Sequence, residues 1–374
     1  MLRTADLHYD LPPDLIATAP AEPRDSARML VVGRGDAGRI DFRRVRDLPE
    51  LLRSGDCLVF NTSRVLPARL IGKKLDTGGV VEGLYLCDAA GAPGANEVRW
   101  VALLDGKRLR YGTRVAFADR RGRAMVRATL IARSDDEPGA WIVAVEPEVG
   151  LGRPSTADIL DRVGVTPLPP YILRARRLAG IEGDDATDRV RYQAVYADAA
   201  GSVAAPTAGL HFTPELLGSL AAAGVARADV TLHVGVGTFR PVSTEIVEEH
   251  PIHSEWCSMS AAAADAIRRT RERGGRVICV GTTACRTVES YAALAERGEP
   301  TPASLSTRLL ITPGYDWRWT DGLLTNFHLP RSTLMALVAA LLHGGVTRLR
   351  TIYAVAAAQR CRFYSFGDAM LVLP

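Results

Sequence analysis

The sequence predicts an α/β protein in which a layered α/β main domain is interrupted by a small inserted all-β barrel domain. At 374 residues the chain exceeds what one ordinary hydrophobic core holds, so two domains are expected. Residues 65–149 contain short strand-like runs separated by Gly, Asp and Pro, without a long helical period. After residue 154, helical and strand-like patterns alternate, which is typical of a layered α/β domain. The expected boundaries are 1–64 and 152–374 for the main domain and 65–151 for the barrel.

The first main-domain segment and the barrel are predicted to contain mostly strands. Pro-rich turns lead to a strand at residues 57–60, which reads CLVF. The strands of the barrel are predicted at residues 80–86, 98–104, 114–117, 124–131 and 141–145. The cluster DDEPG at 135–139 is typical of a hairpin tip, because Asp, Pro and Gly favour turns.

The second main-domain segment is predicted to contain both helices and strands. Helices are expected at residues 155–163, 214–223, 260–273 and 334–343. The third has Ser260 as its N-cap and Gly274 as its stop, and the fourth is apolar all round, which indicates burial. Strands are expected at residues 225–233, 276–280 and 349–355. The polar stretch 172–190 is expected to be a mobile loop.

Composition and cysteine usage limit the class of protein. Hydrophobic residues make up 47% and charged residues 24%, as in a soluble globular protein. The N-terminus lacks the apolar core of a signal peptide, and the longest apolar stretch, 334–342, is far shorter than the roughly 20 residues that span a bilayer. We therefore expect a cytoplasmic protein without a membrane partner. The six cysteines form no CxxC pair, so reduced thiols are expected and cluster-based radical chemistry is not.

The net charge of +4 is unevenly distributed along the chain. Between Val65 and Ser134, thirteen Lys or Arg residues stand against six Asp or Glu residues. A solvated arginine-rich surface explains this excess. A surface that contacts the phosphate backbone of a nucleic acid explains it equally well.

Three segments each place one histidine among Gly, Pro and Thr. They read VAAPTAGLHF at 203–212, TLHVGVGTFR at 231–240 and TNFHLPRST at 325–333. Such residues allow sharp turns and close approach of a ligand, so the segments predict a polar pocket. In the middle segment, strand alternation would put five residues on one face: Thr231, His233, Gly235, Gly237 and Phe239. A pocket floor is one interpretation of this face, and a core histidine beside a bulge is the other.

Two helix starts are candidate anion sites. The run RVICVGTT at 276–283 predicts a strand followed by a helix whose first amides, with Thr282 and Thr283, could bind a carboxylate or phosphate. Ordinary helix capping also explains it, and neither a Walker loop nor a GxGxxG motif is present. Arg331 lies at the start of the helix at 334–343, and Asn326 and His328 precede it on the same loop.

Two further groups have weaker signals. The segment HPIHSE at 250–255 suggests a metal site, but zinc usually needs three or four ligands and His250 does not share a strand face with His253 and Glu255. No metal is therefore predicted, and Glu255 is treated as a hydrogen-bonding group or base. Asp368, in the aromatic segment 362–370, could contact a cation or a base, or the segment could simply dock on the sheet.

The chain resembles the S-adenosylmethionine:tRNA ribosyltransferase-isomerase family of queuosine biosynthesis. The matching segments occur in order over nearly the whole chain: 58–61, 64–69, 167–171, 192–196, 204–212, 232–241, 253–255, 280–283, 289–290, 325–334 and 362–370. The resemblance implies an α/β domain that carries an inserted β-barrel. At 61–64 the chain has NTSR where the family commonly has NNTR, so one amide is lost. At 82–85 it has EGLY in place of a usual Glu-hydrophobe-Leu-Leu stretch.

The resemblance also implies a reaction. The ribosyl part of S-adenosylmethionine is transferred to 7-aminomethyl-7-deazaguanine at the tRNA wobble position, adenine and methionine leave, and epoxyqueuosine-tRNA forms. The partners would then be S-adenosylmethionine, consumed as a substrate, and tRNA carrying the modified base. No cofactor is expected, and neither is a stable oligomer.

This chemistry assigns expected roles to the matching residues. Removal of a C5′ proton next to the sulfonium needs a base, for which His233 and Glu255 are candidates. Departure of adenine is helped by a proton donor, for which His211 and His328 are candidates. Thr282, Thr283 and Arg331 would hold the methionine carboxylate. The other expected substrate-binding residues are Thr207, Gly235, Gly237, Phe239, Asn326 and Asp368.

Two functions of other classes remain open from sequence alone. A non-catalytic RNA-binding module would use the basic stretch 65–134 but leaves the loop histidines unexplained. A metal hydrolase would use His250, His253 and Glu255.

Overall fold

The computed structural model describes residues 1–35, 40–89, 98–119, 122–147, 154–235, 237 and 241–374. It divides into two compact units. The first contains Met1–Arg64, Pro169–Gly183 and Arg191–Pro374, and the second contains Val65–Leu168 and Asp184–Val190. The second unit thus extends past residue 151, the boundary expected from the sequence.

The strands of the first unit are, with numbering along the whole chain, β1 Arg28–Gly33, β2 Ile40–Arg44, β3 Cys57–Asn61, β4 Ser63–Val65, β12 Ala199–Ser202, β13 Ala226–Leu232, β14 Glu255–Met259, β15 Val277–Val280, β16 Ser304–Thr307, β17 Gly322–Asn326 and β18 Ala369–Leu373. Those of the second unit are β5 Arg69–Lys74, β6 Val80–Asp88, β7 Val98–Asp105, β8 Arg114–Ala118, β9 Ala124–Arg133, β10 Ala140–Pro147 and β11 Gly164–Val165. The helices are α1 Leu48–Leu51, α2 Thr156–Val163, α3 Pro170–Leu178, α4 Asp185–Arg191, α5 Pro214–Ala222, α6 Ala261–Glu272, α7 Thr282–Glu296, α8 Thr333–Leu341 and α9 Gly345–Ala358.

Nine strands of the first unit form one mixed sheet in the order β16-β14-β13-β3-β15-β17-β18-β1-β2. Its four central strands, β13, β3, β15 and β17, are parallel to one another, and β14 and β18 flank them in antiparallel orientation. Side chains of β3 alternate between two buried clusters: Cys57 and Val59 join one, and Leu58 and Phe60 join the other. Because both faces are covered, β3 is a continuous apolar run in the sequence, as expected of a buried parallel strand.

The second unit is built on a closed barrel of six antiparallel strands. Strands β5, β6, β7, β10, β9 and β8 pair in that order, and the pairing of β5 with β8 closes the ring. The five predicted barrel strands correspond to β6–β10, and the predicted hairpin tip joins β9 to β10. The prediction of a layered α/β protein with an inserted β-barrel is confirmed. Strand β5 was not predicted, because RLIGKK mixes charges with a glycine.

Three predicted elements are wrong. Residues 349–355 belong to helix α9, whose buried Leu349, Ile352, Tyr353 and Ala356 follow the helical spacing i, i+3, i+4, i+7. The predicted loop 172–190 contains helices α3 and α4. The strand expected from Thr231 onward ends at Leu232, so the proposed alternation of side chains does not include His233. The other predicted helices are confirmed, with Ser260 capping α6 through a bond from Ala263 N to its hydroxyl.

Candidate active site

The candidate site lies where the carboxyl ends of the four central strands meet. In open α/β sheets ligands bind outside this edge, because neighbouring parallel strands deliver their following loops to one place. Here each strand ends in polar residues: Asn61 at β3, His233 after β13, Thr282 after β15 and Asn326 at β17.

A pocket opens at this edge within the first unit. It is lined by five of the predicted site residues, namely Thr207, Thr282, Thr283, Asn326 and His328. Tyr171, Tyr364 and Ser365 also line it, and the Tyr171 hydroxyl lies 2.5 Å from Ser365 Oγ. The structure therefore brings together residues from all three histidine segments, with Val234 from the middle one, and from the start of α7.

Asn61 connects β3 to β13 and to the start of α7. Its side chain is fully buried, and its Nδ2 donates to Leu232 O and to Thr283 Oγ1, both at 3.0 Å. Its Oδ1 accepts from the amides of Leu232 and Ser63, also at 3.0 Å. Because every polar atom of this amide is paired, Asn61 fixes the position of Thr283 in the pocket wall.

Asn326 organises the opposite wall. Its Oδ1 accepts from Thr207 Oγ1 at 2.9 Å, and its Nδ2 donates to Tyr364 O at 3.2 Å. The same nitrogen lies 3.3 Å from Nε2 of His211, which is 5% exposed. Since Nδ2 can only donate, Nε2 of His211 accepts, and a neutral ring then carries its proton on Nδ1.

His328 reaches the pocket from a backbone held on both sides. Its amide donates to Tyr353 Oη at 2.9 Å, and its carbonyl accepts from Tyr9 Oη. Its Nε2 lies 2.8 Å from Thr325 Oγ1. Two neighbours thus hold the backbone of His328 and one contacts its ring, and the residue borders the cavity.

His233 lies beside the pocket and does not line it, although the adjacent Val234 does. Its Nδ1 is 2.8 Å from Ser63 Oγ, which is in turn 2.6 Å from Ser202 Oγ. Its ring stacks on Trp256, with ring centroids 4.8 Å apart and planes 17° apart. A Cβ on Gly201 would lie only 2.5–2.7 Å from three atoms of this ring, so glycine is required for this close packing.

Glu255 is held in a buried ion pair. Its Oε2 contacts Arg286 Nη1, and its Oε1 accepts from the amide of Gly235 at 3.2 Å. Arg286 also donates from Nε to Leu309 O at 3.0 Å, while its buried Nη2 has no hydrogen-bond partner among the described residues. Both carboxylate oxygens of Glu255 are therefore engaged within the protein.

The start of α7 presents free donors to the pocket. Gly281 precedes the helix with φ +90°, a conformation that favours glycine. The first amides of a helix have no intrahelical acceptor, and here they lie with the Thr282 and Thr283 side chains at the pocket wall. This arrangement suits a carboxylate or phosphate.

Burial makes the three histidines neutral at pH 7. Burial, only partly offset by the Asp368 carboxylate, lowers the pKa of His211 to about 4. Burial lowers the pKa of His328 to about 4 as well, and it lowers the pKa of His233 below its ordinary value of 6.5. Each ring is thus an acceptor or a neutral N–H donor at pH 7 and not an imidazolium.

Several predicted site residues do not line the pocket. Arg331 is exposed in a left-handed conformation with φ +56°. Asp368 is 1% exposed and accepts bonds from Arg28 and Arg362, so its carboxylate organises the C-terminal segment. Gly237 lies against His253, where a Cβ would be 2.8 Å from the ring. Phe239 lies outside the described residues.

The described part of the chain offers neither a metal cluster nor a membrane-spanning helix. It contains no group of three or more His, Cys, Asp or Glu side chains placed to hold a metal ion, and this includes the HPIHSE segment. None of its helices has the length and apolarity needed to cross a membrane.

Sequence reasoning did not find the supporting residues Ser63, Ser202, Trp256 and Tyr171. Their partners are far away in sequence, as with Ser63 and His233, so no local pattern reveals the pairing. Asn61 had one detectable signal, since it is a polar residue at the end of a run that is otherwise fully apolar. At position 63 the chain keeps a hydroxyl where the family pattern has Thr, so the contact to His233 does not depend on the altered residue 62.

Comparisons with known proteins agree on one family. A family model described as "Queuosine biosynthesis protein" matches residues 4–372. The S-adenosylmethionine:tRNA ribosyltransferase-isomerase of Synechococcus elongatus is 47% identical over 98% of this chain and 94% of its own, and that of Phenylobacterium zucineum is 46% identical over 99% of each. The crystal structure of S-adenosylmethionine tRNA ribosyltransferase from Thermotoga maritima is 32% identical, covers 98% of this chain and 100% of its own, and has a TM-score of 0.52.

Proposed function

The chain belongs to the queuosine biosynthesis protein family, and we propose that it acts as an S-adenosylmethionine:tRNA ribosyltransferase-isomerase. It transfers the ribosyl moiety of S-adenosylmethionine to 7-aminomethyl-7-deazaguanine at the tRNA wobble position and releases adenine and methionine. The product is epoxyqueuosine-tRNA. The observation that carries the proposal is the near-full-length match to proteins of this name, and the polar pocket at the carboxyl edge of the sheet supports it.

We assign the removal of the C5′ proton to His233. Its lowered pKa keeps the ring neutral at pH 7, as a base requires. When Nδ1–H donates to Ser63 Oγ, Nε2 keeps the lone pair that can accept a proton, and stacking on Trp256 holds the ring in place. The alternative base, Glu255, is occupied by Arg286 and the Gly235 amide. The geometry therefore favours His233 over Glu255.

We assign the stabilisation of the departing adenine to His328. It lines the pocket, whereas His211 is buried and contacts Asn326. With a pKa of about 4, His328 acts at pH 7 as a hydrogen-bond donor from a neutral N–H and not as an imidazolium acid. His211 acts as a positioning residue, because its Nε2 helps to orient the Asn326 amide that holds Thr207.

The start of α7 would hold the methionine carboxylate. The amides at this helix start, together with the Thr282 and Thr283 side chains, suit an anion, and Asn61 fixes Thr283. The aromatic rings of Tyr171 and Tyr364 at the pocket wall offer faces for the sulfonium. Arg331 and Asp368 have no assigned role in binding the substrate. We expect the reaction to need no added cofactor and to be carried out by a monomer in the cytoplasm.

The decisive experiment follows both leaving groups. Purified protein is incubated with S-adenosylmethionine and tRNA that carries 7-aminomethyl-7-deazaguanine, and adenine, methionine and modified nucleosides are quantified. We expect adenine, methionine and epoxyqueuosine in equal amounts, and no adenine with tRNA that carries guanine at the wobble position. Tight tRNA binding without adenine release by folded protein would instead indicate a non-catalytic RNA-binding module. A stoichiometric metal found by elemental analysis of the purified protein would favour the hydrolase alternative.

A further inference from the structure

Helix α3 carries an exposed stripe that starts at the pocket. Tyr171, in its first turn, lines the pocket. Arg174 lies three residues further along on the same face, and Arg177 follows it after three more residues. Both arginines are exposed, and Leu178 is 74% exposed. The helix thus leads from the pocket wall to the protein surface.

The other face of α3 holds the helix in place. Ile172 is fully buried, and the buried Arg176 donates from Nε to Thr18 O at 3.0 Å. The Tyr171 ring also packs against Tyr364, with ring centroids 4.8 Å apart. Because both its start and its inner face are fixed, the exposed stripe has a defined position beside the pocket.

The stripe has positive charge that the protein does not neutralise. The α3 sequence PYILRARRL contains three arginines and no acid. Neither Arg174 nor Arg177 forms an ion pair within the described residues. Some other exposed arginines of the first unit do form ion pairs, for example Arg268 with Glu272 and Arg360 with Asp14. Two open guanidinium groups beside a substrate pocket indicate a polyanionic partner.

We propose that α3 holds the RNA substrate next to its reacting nucleotide, with Arg174 and Arg177 bound to the flanking phosphates and Leu178 packed against a neighbouring base. This inference rests on the proposed function. If the wobble base enters the pocket, its own backbone must pass the pocket wall. Arg174 and Arg177 lie about 4.5 and 9 Å beyond Tyr171 along the helix axis, so both can reach phosphates near that base. Arginine binds phosphate through a rigid fork of donors.

The test compares neutral variants by direct RNA binding and by turnover. Binding of a fluorescent anticodon stem-loop is measured over a range of salt concentrations. For Arg174→Ala/Arg177→Ala we expect at least tenfold weaker binding at low salt. We also expect a salt slope reduced by about 1.4, since each phosphate contact on a single strand contributes about 0.7. KM for RNA should rise while kcat at saturating RNA and S-adenosylmethionine binding stay unchanged, and Arg174→Lys/Arg177→Lys should recover most of the affinity.

The matched control is Arg269→Ala/Arg271→Ala. These exposed arginines lie in the last turn of α6. This turn is near the start of β3, where Cys57 N donates to Arg276 O. The start of β3 is at the opposite end of the strand from the pocket. We expect wild-type RNA affinity and salt slope for this control. Unchanged affinity and slope in the α3 variant would overturn the proposal and leave the stripe as a surface for a protein partner. RNA binding by wild-type protein without adenine release would refute the proposed function, while the α3 variant would still decide the role of the stripe.

Discussion

The carboxyl edge of the sheet and the barrel use polar residues in opposite ways. All seven histidines of the chain belong to the first unit, and the barrel unit has none. At the sheet edge the polar side chains are buried and paired, as Asn61 shows with four hydrogen bonds. In the barrel unit, Lys107, Arg108 and Arg110 lie exposed on the loop between β7 and β8.

This difference separates two tasks that a tRNA-modifying enzyme must perform. Proton transfer needs groups held at fixed positions in a poorly hydrated place, where each interaction is strong. Attraction of a polyanion needs only exposed positive charge, and salt weakens it. We therefore expect substitutions at the sheet edge to change kcat or stability, and substitutions in the barrel loop to change KM alone.

The largest effect is expected for His233→Ala. Loss of a positioned base typically costs about 10²–10⁴ in rate, and here the chemical step should be affected and not the binding. Single-turnover adenine release at saturating substrates measures it. The control Trp256→Phe keeps an aromatic ring against His233 and should retain most activity. Full activity of His233→Ala would remove the assigned base and return Glu255 to consideration.

The next effect concerns acid stability and involves only the first unit. The pKa of His211 is about 4 in the folded protein and 6.5 when unperturbed. Between these values the unfolded state binds more protons, so the free energy of unfolding falls as pH decreases from 6.5 to 4, by up to about 3 kcal/mol from this residue. His328 acts in the same direction.

Urea unfolding at pH 6.5, 5.5 and 4.5 measures this loss. His211→Gln keeps an acceptor for Asn326 and cannot titrate, so its stability should depend less steeply on pH, by up to about 1.4 kcal/mol per pH unit. Parallel curves for the variant and the wild-type protein would show that burial of His211 does not control acid stability.

A third effect compares buried polar residues in the two units. Asn61→Leu leaves the buried amides of Leu232 and Ser63 and the carbonyl of Leu232 without this partner, so we expect a loss of about 2–4 kcal/mol. Thr113, in the barrel unit, is 8% exposed and accepts one bond, from Arg110 N at 3.1 Å. Thr113→Val should cost only about 1 kcal/mol. If urea unfolding gave equal losses of unfolding free energy for the two variants, buried polar residues at the sheet edge would not be more strongly paired than those in the barrel unit.

Sequence reasoning worked where a local pattern determines the structure. Barrel strands β6–β10 were found because turn residues separate them, and α6 because Ser260 and Gly274 mark its ends. The run around Ile352 and Tyr353 predicts a strand because it is rich in β-branched and aromatic residues, but it lies in helix α9. Packing against the core, and not local propensity, makes it helical.

For the site, sequence could indicate which loops meet but not how side chains pair. Thr207, Asn326 and His328 were expected in one pocket and do line it. Asp368 does not line the pocket, because its carboxylate accepts a hydrogen bond from the amide of Arg28, 340 residues earlier in the chain. No motif contains such information, because the pairing arises only when β18 docks parallel to β1.

The smallest effect is expected for Lys107→Glu/Arg110→Glu in the barrel unit. These exposed charges can attract tRNA at a distance, so KM for tRNA should rise a few-fold at low salt while kcat stays unchanged. Near 1 M salt, where the Debye length is about 3 Å, the difference should disappear. Steady-state kinetics at two salt concentrations test this. A fall in kcat at saturating tRNA would instead mean that the loop acts on the bound nucleotide, and the separation of tasks between sheet edge and barrel would then fail.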